Sequence, residues 1–151
     1  MFYMNEILVK QIEELLKEED KLSALCNVTA AIYQSMDNIN WAGFYFYKNG
    51  KLQLGPFQGK VACTSIEVGK GVCGTSYSRK MLLNVQDVNE FDGHIACDPD
   101  SCSELVTPII FENKIFGVLD IDSKIYRRFG IEEEETCEAI TKLIGKKLAA
   151  K

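Results

Sequence analysis

Residues 40–59 read NWAGFYFYKNGKLQLGPFQG, and the change of period inside this stretch decides the fold class. From Trp41 onward the residues alternate. Trp41, Gly43, Tyr45 and Tyr47 share one face of a strand, and Ala42, Phe44 and Phe46 the other. Aromatic side chains on both faces predict a strand covered on both sides. Asn49-Gly50 is a dipeptide that accepts positive φ at successive positions, so it predicts a tight hairpin turn. Lys51–Gln58 is the returning strand, with Pro56 weakening its end. Gly43 leaves an opening beside Trp41 and Tyr45, to be filled by a packed helix or to serve as the floor of a small-molecule pocket.

Upstream of this stretch the period is helical. Ile7, Leu8, Ile12, Leu15 and Leu16 predict a helix over Asn5–Lys17. A second is predicted over Lys21–Met36, with Leu22, Leu25, Cys26, Val28, Ala31 and Ile32 on its inner side. Downstream, Val61–Val68 and Met81–Gln86 read as short strands, and Gly69–Lys80 as a tight turn with one or two helical turns. Asn89–Ser103, rich in Asp, Gly, Pro and Ser, reads as a long irregular loop. Glu104–Phe111 and Lys114–Asp122 form a hairpin about Glu112-Asn113. Ile131–Ala149 closes the chain as a helix with Cys137, Ile140, Leu143, Ile144 and Leu148 inside. Its acidic run Glu132–Glu135 sits at the start, where the helix dipole favours negative charge. Helices, then mostly hairpin-linked strands, then a helix predict an α+β sandwich around an antiparallel sheet in a single domain spanning residues 1–151.

The chain has 151 residues, 17 Lys and Arg against 22 Asp and Glu, and a net charge of −5. That balance argues against nucleic-acid or membrane-surface binding, either of which wants a basic patch. The amino terminus lacks the basic and long apolar regions of a signal peptide, and no run approaches the length of a membrane span. A cytoplasmic location is expected, where cysteine pairs are more often catalytic or metal-binding than structural.

Of the six cysteines, Cys26 and Cys137 fall on apolar helical stripes and read as core. Cys63, Cys73, Cys97 and Cys102 lie instead among glycines and polar residues, with the single histidine, His94, nearby. GKGVCG at Gly69–Gly74 formally matches a dinucleotide fingerprint but lacks the βαβ setting. It reads better as a turn that brings backbone N–H groups and Cys73 to a ligand. Structural zinc prefers closely spaced cysteine pairs, which Cys63 and Cys73 do not form, so no metal is expected. Thiol redox chemistry fits the residues better: a partly exposed reactive cysteine and a second that resolves it. His94 either favours a Cys97 thiolate or simply hydrogen-bonds its loop. Asp120 and Asp122 point to one face of a strand, and Glu104 begins the neighbouring strand. Together in a cavity these acids would raise one another's pKa and supply a proton; at a strand end they would be merely solvated.

Taken together, NWAGFY, GPFQGKVAC at Gly55–Cys63, GKGVCG, GHIACD at Gly93–Asp98, SELVTPI at Ser103–Ile109 and GVLDIDS at Gly117–Ser123 resemble the free methionine-(R)-sulfoxide reductases, single-domain GAF proteins. The resemblance implies a GAF fold, with helices on one face of a central antiparallel sheet and a ligand cavity on the other. It implies reduction of free methionine-(R)-sulfoxide without a cofactor, with thioredoxin as reductant, and it allows a homodimer. By the same resemblance Cys97 is the nucleophile, Cys73 resolves it as a Cys73–Cys97 disulfide, and Cys63 is a second resolving thiol. Cys102 has no catalytic counterpart in that pattern and is expected to be inert. Sulfoxide oxygen must be protonated to leave, which points to Glu104 and Asp122 as acids and Asp120 as a binding or orienting group. Trp41 and Tyr45 are the expected apolar wall for the S-methyl group. The rival reading is a GAF sensor that binds a small molecule or reads redox state without turnover.

Overall fold

The computed structural model describes residues 2–95 and 97–150, with side chains from residue 5 onward. Ala96, inside the GHIACD run, lies outside the described residues. Two helices, α1 (Phe2–Leu15) and α2 (Lys21–Ser35), precede the hairpin of β1 (Trp41–Lys48) and β2 (Lys51–Gly59). Then come β3 (Ser65–Ile66), α3 (Gly71–Arg79), β4 (Leu83–Val85), the hairpin of β5 (Ser103–Phe111) and β6 (Lys114–Ser123), and α4 (Ile131–Ala149). The strands form one six-stranded sheet in the order β3-β2-β1-β6-β5-β4, every neighbouring pair antiparallel.

Both hairpin turns use the backbone conformation their residues favour. Asn49 and Gly50 have φ of 55° and 85°, and Glu112 and Asn113 have 49° and 67°. Positive φ at both central positions matches the twist of the flanking strands. Pro56 does not end β2. It lies where the β1–β2 register shifts, since Gly43 pairs with Phe57 but Tyr45 with Leu54. A bulge accommodates a residue with no N–H to donate.

The alternation in β1 sorts the interior into two layers. Ala42 and Phe44 join Leu105, Ile109, Leu119 and Ile121 beneath α1, α2 and α4. Trp41 and Tyr45 join Val106 and Val118 on the opposite face, with Val72 and Cys73 of α3. The second face is therefore not bare: α3 and the long loops cover it, and the site lies between them and the sheet.

Two expectations fail for identifiable reasons. Cys26 is exposed, because α2 buries Ala24, Leu25, Val28, Ala31 and Ile32. At ~100° per residue, Cys26 falls on the opposite side of the wheel, beside exposed Leu22 and Tyr33. Residues 61–68 yield only the short β3, paired with Leu52 and Gln53. The residues before it are held by side chains, as the next section describes. Cys137 is fully buried as expected, and burial raises its thiol pKa to about 12. Among the described residues no helix is long and apolar enough to cross a membrane.

Candidate active site

The site is built where β1, β6 and β5 run side by side. Their register sets Trp41 against Asp122, and Asp122 against Glu104. One step along, Gly43 faces Asp120. A period of two puts Trp41, Tyr45, Glu104, Asp120 and Asp122 on one face. The three carboxyl groups that sequence alone leaves between solvent and cavity are thus neighbours on the covered side of the sheet. Glu104 and Asp120 are buried and Asp122 is half-buried.

Electrostatics follow from that placement. Glu104 has a pKa well above the usual carboxylate range, first through burial and then through the neighbouring Asp122 charge. Asp120 is raised by burial and by Glu104, and Asp122 by burial and by Asp120. Burial and mutual repulsion favour the protonated carboxyls over the ionised ones, which suits the cluster to supply a proton. The Cys73 thiol lies against Asp120, and its pKa is pushed well up by burial and then by the Asp120 charge. His94 Nε2 is 3.6 Å from Glu104 Oε1. Burial lowers the His94 pKa, against an opposing pull from Asp120. The histidine thus serves the acid cluster as a neighbour, a role not among those expected for it.

Trp41 and Tyr45 form the wall, their rings 6.0 Å apart. The opening left by Gly43 is taken by neither expected occupant. A Cβ there would come within 2.4 Å of Phe57 Cβ and 2.7 Å of Trp41 Cη2. Trp41 lies over the glycine and stacks on Phe57 at 5.2 Å. Both wall residues also carry a polar task. The Trp41 indole N–H donates to Lys60 O at 3.1 Å, and the Tyr45 hydroxyl donates to Cys63 O at 2.9 Å. These bonds hold the segment that bears Cys63 against the site.

Cys63 is joined to Cys97 in a disulfide, with 5.6 Å between the Cα atoms. Of the two partners that the resemblance implies for Cys97, the structure pairs it with Cys63, the second resolving thiol, and not with Cys73. Cys73 is a free, buried thiol in the first turn of α3, while Cys63 and Cys97 lie half-buried on facing loops. The Cys97 loop is anchored by Asn40, whose Nδ2 donates to Asp98 Oδ2 at 2.9 Å and Ser101 Oγ at 3.1 Å. A Lys60–Asp100 ion pair at 2.8 Å ties the two loops together. Asn40, Lys60 and Asp100 were not legible as site residues, because their partners lie 40 to 61 positions away. Cys102 is free and directed to Asp100 O at 3.7 Å; it does not line the cavity.

The glycine motif serves packing. Gly71 has φ of 63°, and a Cβ on Gly74 would meet Glu67 O at 2.4 Å. These constraints bring Lys70 to Cys73 to the edge of the cavity. The cavity itself measures about 40 Å³, between the aromatic wall, the acids, Cys73, His94 and Cys97. That is room for a few waters or a small group.

The GAF domain profile matches residues 19–148. A free methionine-R-sulfoxide reductase of Escherichia coli is 48% identical over 132 residues, covering 87% of this chain and 80% of the relative. The chain belongs to the free methionine-(R)-sulfoxide reductase family of GAF-domain proteins. A structure of fRMsr of Staphylococcus aureus in complex with substrate superposes with a TM-score of 0.90 at 46% identity, covering 96% of this chain and 95% of that one. A free methionine-R-sulfoxide reductase from Neisseria meningitidis, also in complex with its substrate, gives 0.91 at 33% identity, covering 95% and 87%. The family's GAF fold is the fold of this chain, and the chain is an oxidoreductase of that family.

Proposed function

We propose that the protein reduces free L-methionine-(R)-sulfoxide to L-methionine through Cys97. The observation that carries the reading is that Cys97, disulfide-bonded to Cys63, lines one cavity with Glu104, Asp120 and Asp122. In the reduced protein the Cys97 thiolate attacks the sulfoxide sulfur, while a protonated carboxyl donates to the departing oxygen. That attack forms a bond between the Cys97 sulfur and the substrate sulfur, and the S–O bond breaks with the protonated oxygen leaving as water. Water then attacks the Cys97 sulfur, the new S–S bond breaks, methionine leaves with its sulfur reduced, and Cys97 is left as a sulfenic acid. The Cys63 thiolate then attacks that sulfur, water leaves, and the disulfide closes. An external dithiol, thioredoxin in this reading, returns both sulfurs to thiols.

Each residue has a place in that sequence. Glu104 and Asp122 are the proton donors, kept neutral by burial and mutual repulsion. Asp120 binds or orients. Trp41 and Tyr45 receive the S-methyl group. The half-buried Cys63–Cys97 bond is within reach of a protein reductant, whereas buried Cys73 is not. Cys73 is a reserve resolving thiol that acts only after the Cys97 loop moves. A cavity closed by loops also excludes methionine sulfoxide held within a polypeptide.

The test is methionine production from separate R and S epimers of free methionine sulfoxide, with dithiothreitol as reductant. Turnover of the R epimer alone, abolished in Cys97→Ser, is expected. No turnover by folded, reduced protein would overturn the reading in favour of a ligand-binding sensor.

A further inference from the structure

Three carboxyl groups, a thiol and an imidazole converge on one small cavity, and the cations nearby are few. Cys73 Sγ and one carboxylate oxygen each of Glu104 and Asp120 lie within 4.8 Å of one another. His94 Nε2 stands 3.6 Å from Glu104 Oε1. One atom in this group has no partner: Asp120 Oδ1 is buried without a hydrogen bond, on a residue only 6% exposed. A buried oxygen without a hydrogen bond, beside two other carboxyl groups and a thiol, calls for a cation or for a proton shared with a neighbour.

We infer that Cys73, Glu104, Asp120 and His94 form a site for one Zn²⁺ ion. Thiolate, imidazole and two carboxylates are the donor set that zinc takes and that magnesium and calcium do not. Zinc bonds of ~2.0–2.3 Å place tetrahedral donors roughly 3.3–3.7 Å apart. The His94–Glu104 separation already meets that spacing. The Cys73, Glu104 and Asp120 atoms, within 4.8 Å of one another, must close by up to about 1 Å, and the His94 ring must swing in from outside that group. The donors come from α3, β5, β6 and one loop, so three of the four sit on rigid elements. Coordination displaces the thiol and carboxyl protons to solvent, and no electron moves. The sequence argument against zinc concerned neighbouring cysteine pairs, whereas this set contains one cysteine and is assembled across strands.

The site is complete in the disulfide form, since Cys73 is not part of the bond. It would be lost in any form that joins Cys73 to Cys97. Binding itself does not depend on the reductase reading. That reading adds that ion and substrate exclude one another, because Glu104 and Asp120 serve both.

Co²⁺ is the spectroscopic probe and Zn²⁺ the competitor, on disulfide-form protein with Cys26→Ser and Cys102→Ser to remove the accessible thiols. One equivalent of Co²⁺ should give a thiolate-to-metal charge-transfer band with tetrahedral d–d bands, all displaced by Zn²⁺. Cys73→Ser should abolish the charge-transfer band, Cys137→Ser should leave it, and Asp120→Asn should weaken binding by ~10-fold or more. No band in the parent protein, or a band that survives Cys73→Ser, would overturn the site. Free methionine-(R)-sulfoxide should raise the apparent Zn²⁺ Kd of the Cys97→Ser protein, which binds without turnover, in proportion to its concentration. No such rise, where the wild type turns the substrate over, would overturn the shared site. Absence of turnover with Co²⁺ binding intact would count against the reductase reading alone.

Discussion

At the scale of single residues, the protein keeps carboxyl groups where they are costly. Asp120 is buried beside Glu104 and Cys73, and its pKa is raised by burial first and by Glu104 second. A carboxyl whose folded pKa lies above its unfolded value contributes fully to stability at low pH. That contribution is lost as pH rises through the folded value. Asp120→Asn removes the penalty. It should therefore stabilise the protein at about pH 8 by ~1–2 kcal/mol, or roughly 3–6 °C in Tm, and by progressively less as pH falls to the ordinary carboxylate range. Thermal unfolding of both proteins across that range checks this, and a gain that grows toward acid would show the wrong sign. The sequence carried half of this picture. The i, i+2 spacing of Asp120 and Asp122 showed that they share a face, but only the β5–β6 register and the covering loops show that the face is enclosed. Disulfide choice was less legible still. Which thiol meets Cys97 depends on how two irregular loops are pinned by Asn40, Trp41, Tyr45 and Lys60, through contacts far apart in the chain.

Regular elements were the most legible part, because periodicity is local. The alternation of β1 sorted its side chains into the two observed layers, and α4 spans the residues its pattern indicates. The helical stripe of α2 misled at its edge, since Leu22 and Cys26 are apolar yet face away from the core. Native, oxidised protein treated with a maleimide should accordingly label Cys26 fastest and leave Cys73 and Cys137 unlabelled until unfolding; peptide mass mapping reads this directly. Rapid loss of free Cys137 would contradict its burial. In β1, Gly43 is the position where strand and site depend on each other. Gly43→Ala places a methyl group against Phe57 and the Trp41 ring, and overpacking of this kind costs about 1–3 kcal/mol. The Trp41 ring must tilt, so KM for free methionine-(R)-sulfoxide should rise more than kcat falls. Unchanged KM and an unchanged urea midpoint would show that Trp41 does not need the glycine.

For the whole molecule, the Cys63–Cys97 bond is a long-range staple as well as the proposed redox centre. It closes a loop across a sequence separation of 34 residues, and that loop contains β3, α3 and β4. Chain-entropy arguments give a crosslink of this span ~3–4 kcal/mol of stabilisation. In a domain of about this size that corresponds to roughly 6–15 °C in Tm. Catalysis in the proposed cycle would then alternate between a stiffer oxidised form, with its cavity drawn in, and a looser reduced form that admits substrate. The oxidised protein should unfold at the higher temperature, and dithiothreitol should remove the difference. Cys63→Ser should behave as the reduced protein in either buffer, while Cys73→Ser should keep the full oxidised-to-reduced shift, because its thiol is outside the bond. Loss of the shift in Cys73→Ser with retention in Cys63→Ser would mean that Cys73–Cys97 is the resting disulfide, and that the loops rearrange from the positions described here.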